Sequence, residues 1–64
     1  MTVSEFIAIS VIDRLSVWYI DIDIDFKSYD LSCNTDLFEC VKNHGDKKIV
    51  RLYAIETGHI EIII

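Results

Sequence analysis

Between Val17 and Phe26 the chain alternates with period two. Trp18, Ile20, Ile22, Ile24 and Phe26 fall on one side, and Tyr19, Asp21, Asp23 and Asp25 on the other. Successive side chains of a strand point to opposite faces, so this pattern predicts a half-buried strand. Val3 to Ile12 is also rich in Val and Ile but alternates poorly, with Ile7, Ile9 and Val11 opposing Phe6, Ala8 and Ile12. It is expected to be a strand buried on both sides. Thr2 followed by Glu5 offers a competing reading, a capping box that opens a short amphipathic helix. Under the strand reading, Asp13 to Ser16 form a hairpin loop.

Lys27 to Asn34 is polar and turn-like. After it, Leu37, Cys40, Val41 and His44 recur at helical spacing, with Thr35 or Asp36 as cap and Gly45 as the stop. Three turns do not persist alone, so this stripe must lie on a sheet. Ile49–Ile55 and Ile60–Ile64 flank Thr57-Gly58, a two-residue hairpin signal. In that register Glu56 faces His59 and Ile55 faces Ile60. Arg51, Tyr53, Ile55, Ile60, Ile62 and Ile64 then share one face, and Val50, Leu52, Ala54, Glu61 and Ile63 the other.

The expected architecture is a single α+β domain over residues 1–64: a small antiparallel sheet of about four strands, β-β-α-β-β along the chain, with one short helix packed on a face. One helix cannot cover two apolar faces. Leu52, Ile62, Ile63 and Ile64 are therefore expected at a homodimer interface.

Composition sharpens this reading. Apolar residues make up 52% of the 64 and charged residues 27%, which places the chain among folding sequences. Twelve isoleucines and no proline favour sheet. Eleven acidic residues against six basic ones leave a net charge of −5. That field repels nucleic acid and anionic membranes, so the expected partner is a protein with a basic surface. No apolar run approaches the ~20 residues of a membrane span. Cys33 and Cys40 lie in or beside the predicted helix with no leader pattern ahead of them, which fits a reduced, cytoplasmic setting.

Several patterns bear on chemistry. Asp21-x-Asp23-x-Asp25 has the alternate carboxylates of a calcium loop, but Phe26 and Ser32 stand where its glycine turn and bidentate glutamate belong. Read as a strand, the three carboxylates project from one face at ~6.7 Å spacing beside Tyr19, extended by Asp30, Asp36 and Glu39. This row is either a solvated face, paired with Arg14, Arg51 or a lysine, or an imitation of a phosphate row that occupies a basic groove. Cys33, Cys40, His44 and His59 have the ligand types of a zinc site but lack the short Cys-x₂₋₄-Cys knuckle, and Cys40 and His44 already belong to the apolar stripe. No metal or cofactor is expected. A thiol nucleophile needs a lowered pKa and an oriented base, and Cys40 sits mid-helix beside Glu39. Gly45 and Gly58 are too few for a phosphate-cradling loop. The chain is expected to bind without catalysing.

In size, acidity and absence of catalytic motifs, the chain is similar to small virus-encoded inhibitors of bacterial defence, including anti-CRISPR proteins and other DNA mimics. The similarity is compositional. It implies a non-catalytic inhibitor, acting in the host cytoplasm, that occupies a basic nucleic-acid-binding surface on its target through Tyr19, Asp21, Asp23, Asp25, Asp30, Asp36 and Glu39. The alternative is a structural or adaptor homodimer held by the hydrophobic C-terminal hairpin, with the acids serving solubility.

Overall fold

A computed structural model describes residues 1–12 and 16–64. The elements in chain order are α1 (Val3–Ile12), β1 (Tyr19–Ile22), β2 (Ser28–Asp30), α2 (Asn34–His44), β3 (Arg51–Glu56) and β4 (His59–Ile63). The four strands form one sheet in the order β2-β1-β4-β3. The α+β class, a sheet of four strands and a helix against it are as the sequence predicts. The hairpin loop expected over Asp13–Ser16, and the pairing role of Arg14, fall largely outside the described residues.

Residues 3–12 are helical, which corrects the buried-strand expectation. Thr2 and Glu5 close a capping box: the Thr2 amide donates to Glu5 Oε1 at 2.8 Å and the Glu5 amide to Thr2 Oγ1 at 3.2 Å. Val3, Phe6, Ile7 and Ser10 are buried, and their spacing is a helical stripe. Ser10 obscures that stripe in the sequence; its hydroxyl donates to the Phe6 carbonyl at 2.9 Å and so is satisfied inside the core.

The fourth strand comes instead from Ser28–Asp30, within the segment read as a turn. The sheet is mixed rather than antiparallel. Two antiparallel hairpins, β1–β2 and β3–β4, lie side by side with β1 parallel to β4. α2 is the crossover between them, as a parallel pairing requires.

β1 ends at Ile22, four residues before the predicted strand does. The Asp25 amide donates to the Ile22 carbonyl at 2.9 Å and turns the chain away. Only Ile20 and Ile22 of the predicted apolar face are buried; Trp18, Ile24 and Phe26 are exposed. With Tyr29 and Ile62, these two isoleucines form the helix-facing side of the sheet, against Val3, Phe6, Ile7, Leu31 and Cys40. Each fully buried isoleucine contributes about 1.5–3 kcal/mol.

The C-terminal hairpin turns at Thr57-Gly58, with Gly58 at φ 79° and Glu56 opposite His59 as predicted. Beyond that pair a β-bulge intervenes: Ala54, not Ile55, faces Ile60, and Leu52 faces Ile62. A one-residue slip exchanges the faces of a strand. Leu52 and Ala54 thus share the core side with Ile60 and Ile62, while Arg51 and Tyr53 share the opposite side with Glu61 and Ile63.

Gly45 has φ −58°, so it does not end α2 through a left-handed conformation. It admits the close approach of α1: the Ser4 amide donates to the Gly45 carbonyl at 3.0 Å, and a Cβ at Gly45 would collide with Ser4 Oγ and the Val41 carbonyl.

Candidate functional site

The residues between Tyr19 and Glu39 carry six carboxylates and one lysine, Lys27. The carboxylates do not form a strand-borne row. Asp21 lies on β1, but Asp23 and Asp25 follow its end, because the turn after Ile22 breaks the alternation.

Each of the six has a partner within the chain. Asp21 Oδ1 accepts the Ser28 hydroxyl at 2.5 Å and lies 2.8 Å from His59 Nε2. Burial opposes its ionisation, yet the hydrogen bonds from His59 and Ser28 hold its pKa below the ordinary aspartate value. Asp23 Oδ1 accepts the Ile64 amide at 3.2 Å. Asp25 Oδ2 accepts the Tyr29 hydroxyl and faces His44 Nε2 at 2.6 Å, and these two contacts lower its pKa. Asp30 accepts the Ser32 hydroxyl and amide, which likewise lower its pKa. Asp36 accepts the Asp30 amide at 3.0 Å, a contact that replaces its expected capping role on α2.

Lys27 Nζ stands 3.3 Å from Glu39 Oε2, 3.9 Å from Asp36 Oδ1 and 4.6 Å from the centre of the Tyr29 ring. These exposed ion pairs are worth under about 1 kcal/mol each. Tyr19 is exposed, with its ring 5.9 Å from that of His59.

Ser28, His59 and Asp21 superficially resemble a nucleophile–base–acid set, but their geometry is different. Ser28 Oγ is 3.5 Å from His59 Nε2, and the same nitrogen faces Asp21. A working relay places the hydroxyl on Nε2 and the acid on Nδ1. Here the hydroxyl proton is directed to the carboxylate and Nδ1 faces Glu56 at 3.8 Å, so Ser28 is not activated.

The proposed zinc ligands are not gathered. His44 belongs to Asp25, His59 to Asp21, and Cys40 is wholly buried. Among the described residues no three His, Cys, Asp or Glu side chains are placed to share an ion. Burial, reinforced by the Asp25 charge, pushes the Cys40 thiol up to about 11, far from a reactive thiolate.

The second candidate surface is the sheet edge formed by β3. Every residue of Arg51–Glu56 is exposed, Leu52, Tyr53 and Ile55 among them, and Val50 just before the strand is exposed too. Of the residues expected at a dimer interface, Leu52 lies here and Ile63 and Ile64 are half-buried. Ile62 is a correction: it is completely buried within the chain, facing the core between Ile22 and Leu52. Val50, Tyr53 and Ile55 were not singled out from the sequence, in which Ile55 reads as the cross-strand partner of Ile60.

No helix among the described residues is long and apolar enough to cross a membrane. Comparison with protein families, with characterised proteins and with solved structures finds no match to this chain.

Proposed function

We propose that this protein is a non-catalytic protein-binding module that docks through the β3 edge. The observation that carries this reading is that β3 is an outer strand exposed along its whole length, with Leu52, Tyr53 and Ile55 on it. An edge strand presents a row of unpaired N–H and C=O groups, and natural proteins ordinarily blunt such edges with charge, proline or cover. Here the centre of the strand is apolar. Main-chain pairing supplies affinity in this mode of recognition, and the flanking side chains supply specificity. The acids between Tyr19 and Glu39 serve the fold and its solubility.

A second reading rests on the excess of six carboxylates over one lysine in that same segment. Under it, the protein is an inhibitor, phage-encoded and acting in the host cytoplasm, that sets Tyr19, Asp23 and Glu39 against a basic nucleic-acid-binding groove.

Capture from a bacterial lysate separates the two. Three tagged baits, the native chain, Leu52→Lys/Ile55→Lys and Asp23→Asn/Glu39→Gln, are compared at about 50 and 500 mM salt, a range over which screening of exposed charges becomes severe. Partners lost only with the edge variant and retained at high salt support edge docking. Partners lost with the acid variant and at high salt support the basic-groove reading.

A further inference from the structure

We propose that the β3 edge takes a second copy of this chain, the two β3 strands pairing antiparallel about a two-fold axis at Tyr53, with Ile55 bulged, to join two four-stranded sheets into one. The proposal rests on the edge-docking reading above and names its partner.

The charge order along the strand carries the argument. Lys47, Lys48 and Arg51 stand at its beginning, and among the described residues none has a carboxylate within ion-pair distance, although the chain holds eleven acidic residues against six basic ones. Arg51 contacts the Tyr53 hydroxyl at 3.3 Å. Glu56 stands at the far end with its side chain 75% exposed. Antiparallel pairing about the centre brings Arg51 of one copy beside the partner's Glu56, and does so twice. Parallel pairing in register sets like charges together, which is destabilising.

The bulge makes the two charges usable together. Arg51 and Glu56 are five residues apart, and in a regular strand an odd separation places side chains on opposite faces. The extra residue at Ile55 restores Glu56 to the face of Arg51, Tyr53, His59 and Glu61. The strand therefore carries a cation, the Tyr53 ring and an anion on one face, a sequence complementary to its own reverse. A two-fold contact requires this self-complementarity, and it closes at two copies.

The other edge fits less well. β2 has three residues, so a head-to-tail contact leaves half of β3 uncovered. Pairing of six-residue strands lies at the small end of specific interfaces, so the dimer is expected to be concentration-dependent, with a Kd on the order of 1–100 µM.

Sedimentation of the untagged native chain over about 2–500 µM reads this directly. The expected result is a mass that rises from 7.4 kDa toward twice that value. Arg51→Glu and Glu56→Arg should each weaken association about tenfold or more by opposing like charges, and the double variant should restore it to within about threefold. Amide exchange on the native chain, which needs no variant, should slow in β3 as concentration rises. A chain that stays at 7.4 kDa with concentration-independent β3 exchange overturns the proposal, and so does a natively melting double variant that fails to recover. If the chain is monomeric yet loses lysate partners on Leu52→Lys/Ile55→Lys, the second copy is wrong and edge docking survives. If those partners are also unaffected, both fail.

Discussion

His44 Nε2 lies 2.6 Å from Asp25 Oδ2, which ties the C-terminal end of α2 to the turn that follows β1. The same oxygen accepts the hydroxyl of Tyr29, whose side chain is buried. Asp25→Ala strips the acceptor from both groups and leaves the buried Tyr29 hydroxyl with no acceptor for its proton, at a cost of about 1–3 kcal/mol. Asp25→Asn retains an acceptor and should cost less. Thermal melting checks this: for a domain this small each kcal/mol corresponds to about 4–8 °C.

Acid should weaken the fold through the same carboxylates. Hydrogen bonds from Tyr29 and His44 depress the Asp25 pKa, the Ser32 contacts depress that of Asp30, and the Thr2 amide and hydroxyl depress that of Glu5. A group with a depressed folded pKa stabilises above its unfolded value, about 4, and that contribution is lost as pH falls through the folded value. The urea midpoint should hold down to about pH 5 and then fall toward pH 2. Asp25→Asn should show a shallower fall; an unchanged slope would remove Asp25 from the account.

Gly58 has φ +79°, and a Cβ there would lie 2.5 Å from Trp18 Cδ1. Gly58→Ala forces a left-handed alanine, at about 1–2 kcal/mol, and displaces an indole that is already half-exposed. Chemical denaturation should show the loss, accompanied by a change in Trp18 emission. Gly45→Ala should be destabilising for a different reason, the clash with the Val41 backbone carbonyl and Ser4 Oγ, and should leave Trp18 emission in the folded state unchanged.

Legibility followed the reach of the interactions. α2 and the Thr57-Gly58 turn were readable because an apolar stripe and turn residues act within a few positions, although Cys33 at the N-cap of α2 makes no side-chain capping bond and Gly45 is right-handed. The Thr2–Glu5 box was equally local, but ten residues rich in Val and Ile, with Ser10 interrupting the stripe, outweighed it as a strand signal. The end of β1 could not be seen in Ile22-Asp23-Ile24-Asp25, since Asp25 is drawn off the strand by Tyr29 and by His44, nineteen positions away. The bulge at Ile55 is a matter of pairing with β4 and leaves no mark in the alternation of β3 itself. It moved Tyr53 off the face expected for it beside Ile60 and Ile62 and put Leu52 there.

The two cysteines should separate cleanly under alkylation. Cys40 is wholly buried with its thiol pushed up to about 11, while Cys33 at the start of α2 is half-exposed. Iodoacetamide at neutral pH should label Cys33 first and reach Cys40 only at the rate of unfolding. Mass spectrometry with and without urea decides this, and equal labelling in the folded state would contradict the placement of α2.

The bulge makes the sharpest prediction because it assigns opposite fates to two residues that face each other. Leu52 and Ile62 are cross-strand partners on the core side, yet Ile62 is completely buried between β1 and β3 while Leu52, on the outer strand, is nearly half-exposed. Ile62→Ala removes packed volume at the centre of the sheet and should cost about 2–4 kcal/mol. Leu52→Ala should cost about 1 kcal/mol in the isolated chain, well below Ile62→Ala, since nearly half of that residue was already in water. Urea titrations of both variants at a few micromolar, at the low end of the proposed self-association, give the comparison directly. Equal losses would mean that the register on β4 is wrong.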